Sequence, residues 1–80
     1  MIVKVIKSDG TVSTQEVNTF SEISRLVGGS ATKVGELNPF TDLFGNEKGS
    51  LIGLPVNDMF PQFVGDLVAT PPDWKILPYE

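Results

Sequence analysis

Ile2-Val3-Lys4-Val5-Ile6-Lys7-Ser8-Asp9-Gly10-Thr11-Val12-Ser13-Thr14-Gln15-Glu16-Val17 reads as two strands and the turn between them. The first run is β-branched and apolar apart from its lysines, which fits a strand buried on part of both faces. Asp9-Gly10 between two strand-like runs is a strong short hairpin signal, because a type I′ turn needs positive φ at both central residues. A two-residue turn pairs Lys7 with Val12, Ile6 with Ser13 and Ile2 with Val17. The second run, Thr11 to Val17, is mostly polar and fits a water-facing edge strand.

A helix follows. Thr19-Phe20-Ser21-Glu22 has the spacing of a capping box, with Thr19 accepting from the Glu22 amide and Glu22 reaching back to the amide of Thr19. Phe20, Ile23, Leu26 and Val27 fall within about 120° of one helical face. Gly28-Gly29 stops the helix, since glycine takes the left-handed C-cap conformation without steric cost. A helix this short needs a sheet to dock on.

Beyond it, Ala31 to Leu37 is extended and Pro39 closes the segment. Phe40 to Phe44 and Ser50 to Ile52 flank the turn Asn46-Glu47-Lys48-Gly49 and read as a second hairpin. Gly53-Leu54-Pro55-Val56-Asn57 is an irregular crossing, with Asn57 suited to cap a turn over Asp58 to Phe60. Val64 to Thr70 is a last strand interrupted by Gly65-Asp66. Residues 71–80 are a Pro-rich apolar tail, where Pro71-Pro72 should prevent a helix from starting. Its Trp74, Ile76, Leu77 and Tyr79 belong on the body or on a partner chain. The fold class is therefore α+β: a small mixed or antiparallel sheet of four to five strands, one short helix packed on one face, and a single domain over residues 1–80.

Composition narrows the chemistry. The 80 residues carry 40% hydrophobic side chains, no Cys and no His. Disulfides and thiolate metal sites are excluded, and the commonest zinc ligand and general base are missing. A chain this short buries only about 60% of its unfolded surface, so packing or self-association must supply stability. Six basic against ten acidic residues give a net charge of −4, which opposes unaided binding to nucleic-acid phosphates. The aromatic residues are not interleaved with basic ones as single-strand binding requires. No apolar run approaches the ~18 residues of a membrane span, and the first residues read as a strand instead of a signal peptide. These readings place the protein in the cytoplasm.

No residue set suggests catalysis. A Ser–His or Cys nucleophile is impossible, and Asp58 with Asp66 is the most obvious carboxylate pair for acid–base work. No calcium-loop spacing exists, so no metal or cofactor is expected. Gly28-Gly29-Ser30-Ala31-Thr32-Lys33 follows a helix and so lacks the order of a phosphate loop. It remains a candidate backbone-amide pocket for a small anion, with Lys33 as charge partner. The candidate ligand residues are thus Gly28, Gly29, Lys33 and Asn57; the candidate partner-binding residues are Trp74, Leu77 and Tyr79.

The turn residues also carry a resemblance. Leu26-Val27-Gly28-Gly29, then Gly45-Asn46-Glu47-Lys48-Gly49-Ser50-Leu51-Ile52-Gly53-Leu54-Pro55-Val56-Asn57, then Gly65-Asp66-Leu67-Val68 follow a pattern. It resembles the family called DUF3846, a small domain of unknown function found largely in phages, large viruses, plasmids and related bacterial genomes. The resemblance covers most of residues 1–70 and implies a viral or mobile-element origin, with no activity attached. The expected function is a non-enzymatic acidic binding or adaptor protein acting on a host protein or signal. The alternatives are a structural subunit such as a minor virion component, or a small-ligand-binding oligomer with a pocket near Gly28 to Lys33 and Gly53 to Asn57.

Overall fold

The computed structural model describes residues 1–80. In chain order the elements are β1 (Ile2–Ile6), β2 (Val12–Glu16), α1 (Phe20–Val27), β3 (Ala31–Asn38), β4 (Thr41–Asn46), β5 (Leu67–Thr70) and a 3-10 helix, Pro72–Ile76. The five strands form one sheet in the order β2-β1-β5-β4-β3, antiparallel throughout. This is the expected small α+β fold. The last strand lies at the sheet's centre, and α1 carries the chain from one edge to the other.

The first hairpin forms, one residue out of the expected register. Ile6 faces Val12 and Ile2 faces Glu16. Lys7 closes the loop by donating to the Thr11 carbonyl at 2.8 Å and accepting from the Gly10 amide at 2.9 Å. Three residues, Ser8-Asp9-Gly10, therefore make the turn. Gly10 has φ +89°, while Asp9 keeps a negative φ. A type I turn followed by a left-handed glycine satisfies the strand twist with one positive φ where a type I′ turn needs two. The Asp9 carboxylate accepts from the Thr11 amide.

The helix has the expected ends. Thr19 Oγ1 accepts from the Glu22 amide at 3.3 Å, and the Glu22 carboxylate accepts at 2.8 Å from Asn18, one residue before the expected Thr19. Gly28 is left-handed at φ +80°. Its amide bonds the Arg25 carbonyl and that of Gly29 bonds Ser24, a Schellman ending. Ile23 and Val27 are buried, while Leu26 is half-buried.

The second hairpin corrects the sequence reading. β4 pairs with β3, and Ser50 to Ile52 lie in turns. The reversal is at Pro39-Phe40, where Asn38 Oδ1 accepts from the Phe40 amide at 2.8 Å. A proline that ends a strand equally well opens a turn, because its fixed φ suits the first central position.

Strand alternation divides the core between two faces. On the helix face, Val3, Val17, Ile23, Val27, Phe44 and Val68 pack together, with Phe20, Trp74 and Leu77 against them. On the opposite face, Ile6, Leu43, Leu67 and Ala69 pack under Phe60 and Phe63 from the long β4–β5 connection.

Candidate binding surface

Each sequence-predicted ligand residue has a structural occupation. The Gly28 and Gly29 amides end the helix, and a Cβ on Gly29 would stand 2.8 Å from Asn46 Nδ2. Asn46 has a role beyond the turn in which the sequence placed it. Its Nδ2 donates to the Val27 carbonyl and its Oδ1 accepts from Lys48, so one side chain joins the helix end to the β4 turn.

Asn57 is fully buried. Its Nδ2 lies 3.1, 3.3 and 3.0 Å from the carbonyls of Ile6, Lys7 and Gly65. Its Oδ1 accepts at 3.0 Å from both Met59 and Phe60. The cap over Asp58 to Phe60 is therefore present. With the whole amide engaged on backbone, no Asn57 atom is left to face a ligand.

Lys33 pairs with Glu36 at 3.0 Å and Asp42 at 3.3 Å. These partners raise its pKa, the hydrogen bond it donates to Glu36 foremost. Trp74 Nε1 donates to the other oxygen of Asp42. The Asp42 carboxyl is held below its ordinary value, chiefly by the Trp74 bond, against the opposing effect of burial and with Lys33 adding to the lowering. Asp42 thus joins a predicted ligand residue to a predicted partner-binding residue. Gly28 shares a shallow groove with Leu54, Pro55 and Arg25, while Gly29, Lys33 and Asn57 lie outside it.

The tail closes over its own core. Trp74 meets Phe44 edge-to-face with centroids 4.8 Å apart, and Phe20 lies 6.0 Å from Trp74 and 6.3 Å from Tyr79. Leu77 is half-buried, whereas Tyr79 is mostly exposed. The carbonyls of Pro78 and Tyr79 accept from Phe20 and Ser21 at 2.8 Å. The tail thereby satisfies two of the free amides of the helix's first turn. The two prolines do not forbid a helix here: Pro71 is the N-cap and Pro72 the first residue of the 3-10 turn, where the missing N–H is no loss.

Asp58 and Asp66 serve the first turn. The Asp58 amide donates to the Ser8 carbonyl, and the Asp66 carboxylate accepts from the Ser8 amide, both at 2.9 Å.

Exposed apolar chemistry lies at the far end of the sheet face that carries Phe60 and Phe63. The long loop covers the end at Ile6 and Leu67 and leaves the end at Ile2 bare. There Ile2, Leu37 and Phe40 are 59%, 46% and 74% exposed. They line a shallow concavity with Lys4, Ala69 and Pro71. Ile2 and Lys4 face it because alternate residues of β1 share a face, and Phe40 overhangs it from the β3–β4 turn. Sequence reading missed it, since it placed Phe40 at the start of a strand and Ile2 in a strand buried on part of both faces. No helix of the structure is long and apolar enough to cross a membrane. Compared with family models, curated proteins and solved structures, the chain matches none.

Proposed function

We propose that this protein works by binding another protein, without catalysis, through the bare end of its sheet. The observation that carries this reading is the grouping of Ile2, Leu37 and Phe40 around Lys4 in one concavity. Contiguous exposed apolar surface with a polar rim is a feature of interaction sites, unlike single exposed side chains. Phe40 supplies the rigid aromatic anchor on which interface affinity commonly concentrates. Lys33 and Asp42, by contrast, are engaged with each other and with Glu36 and Trp74, and Asp66 with the Ser8 amide. The resemblance of the turn pattern to DUF3846 is the ground for proposing a setting in a phage, another virus or a mobile element, with a host protein as target.

Site-specific photo-crosslinking in the producing cells tests this. A benzoyl-phenylalanine replacing Phe40 should give a discrete adduct. The same group replacing Leu51, which is 85% exposed away from the concavity, should not. Identical adduct patterns from both positions, or none from Phe40, would refute the reading.

A further inference from the structure

The sheet has two free edges, and they are not equivalent. β3 departs from regular pairing between Lys33 and Gly35 and again between Glu36 and Asn38, and it carries the Lys33–Glu36 ion pair. Bulges and charges of this kind blunt an edge against further pairing. β2 has neither a bulge nor an ion pair. Its five residues keep unbroken register with β1; all five are exposed. It contains no proline, and Glu16 is its one charge.

The outward backbone groups of β2 can be identified. Met1 and Val17 exchange both of their backbone bonds, at 2.9 and 2.8 Å. In an antiparallel ladder such pairs alternate with pairs that point away. Ser13 and Gln15 therefore bond β1, and Val12, Thr14 and Glu16 present their N–H and C=O groups to solvent. The one further contact there is a long bond, 3.4 Å, from Gln15 Nε2 to the Glu16 carbonyl.

We propose that β2 pairs antiparallel with β2 of a second copy of this chain about a two-fold axis at Thr14, giving a continuous ten-stranded sheet. Thr14 also lines the Phe40 concavity, so Phe40→Ala, which leaves the β2 backbone untouched, separates the two interactions and should keep the dimer. The register is self-complementary. Thr14 meets Thr14 of the second copy, and Val12 meets Glu16 of the second copy, twice over. These three positions are the ones with outward backbone groups, so the seam forms six backbone hydrogen bonds. On the other face Ser13 meets Gln15 of the second copy. No acidic side chain stands directly opposite another, so the seam avoids local like-charge contact despite a net charge of −4 per chain. An isologous contact of this sort closes at two subunits.

The test is the mass of the full chain in solution across a concentration series, by sedimentation equilibrium and native mass spectrometry. A reversible monomer–dimer equilibrium is expected. Thr14→Pro removes an outward N–H without touching the β1 ladder, and Thr14→Lys sets two cations face to face beside Lys4. Both should be monomeric; Thr14→Lys should stay folded by circular dichroism, at a lower melting temperature because Lys4 stands opposite it and the dimer is lost, and it decides the matter if the proline variant fails to fold. In this cysteine-free chain, Thr14→Cys should oxidise to a covalent dimer and Ser13→Cys should not. A parent that is monomeric at every concentration would overturn the proposal. So would a dimer that survives Thr14→Lys, or equal cross-linking at positions 13 and 14.

Discussion

On one face of the sheet, α1 and the tail bring Ile23, Val27, Phe20 and Trp74 onto Val3, Phe44 and Val68. On the other, an irregular loop brings Phe60 and Phe63 onto Ile6, Leu43 and Leu67. Both covers exclude water from apolar strand residues, but they are fastened differently. The helix satisfies its own backbone and needs help only at its ends, which Thr19, Gly28 and the tail carbonyls provide. The loop has no such ladder. It has one antiparallel bridge, Val56 to Val64, and scattered turn bonds, and is tied to the β1 end through one buried amide, Asn57, which serves five main-chain groups, three of them in the loop. An apolar cover thus rests on many weak contacts in one case and on a polar centre in the other.

That contrast is open to direct attack. Asn57→Ala leaves buried main-chain donors and acceptors without partners and should cost about 3–5 kcal/mol, enough to release the loop or unfold so small a domain. Ile23→Ala removes a fully buried side chain and should cost about 3 kcal/mol. Urea denaturation ranks the two. A smaller loss for Asn57→Ala than for Ile23→Ala would break the comparison, because the loop would then rest on its phenylalanines. Thr19→Ala deletes one cap and should cost about 1 kcal/mol. Hydrogen exchange should show that loss confined to the first turn of α1; a loss spread into the loop would mean that the two covers act as one.

The smallest effect expected is of pH. Asp42 binds Trp74 and Lys33, and its folded pKa lies below the ordinary value of 3.8. A depressed carboxylate stabilises the fold above its unfolded pKa, and that contribution is lost as pH falls through the folded value. Acid should therefore loosen the tail first, read as a change in Trp74 fluorescence below about pH 4. Asp42→Asn should remove that step. Lys33 has the opposite sign: its raised pKa gives a contribution present below the ordinary lysine value and lost as pH rises through the folded one. A Trp74 signal unchanged by acid would show that Asp42 does not hold the tail.

What sequence could show follows from the range of each signal. Gly10, Thr19, Gly28 and the Oδ1 of Asn57 act within a few residues of themselves, so their turns and caps were legible; the reach of Asn57 Nδ2 to Ile6 and Lys7 was not. The choice between a two- and a three-residue turn around Asp9-Gly10 was not, because Asp-Gly serves both and the register depends on what β1 packs against. Phe40 to Phe44 was recognisably extended, yet its partner was misassigned. Asn46 to Gly49 is a real turn, with the Gly49 amide 3.1 Å from the Asn46 carbonyl, but the chain beyond it leads into a loop. The bare face at Phe40 was invisible for the same reason. It exists where the loop stops short, and no local pattern records the reach of a loop.

The central place of β5 has a consequence for how the chain is assembled. β1–β2 and β3–β4 are hairpins of near neighbours and can form as soon as the ribosome has delivered them. They share no bond with each other in the finished sheet, because β5 lies between them. Residues 67–70 must close contacts reaching back to Lys4, and long closures of this kind are slow. Until those four residues leave the exit tunnel, the nascent chain holds two ribbons, each with an inner edge unpaired. A chain stalled before Leu67 therefore has every turn of the protein's first half and no common sheet.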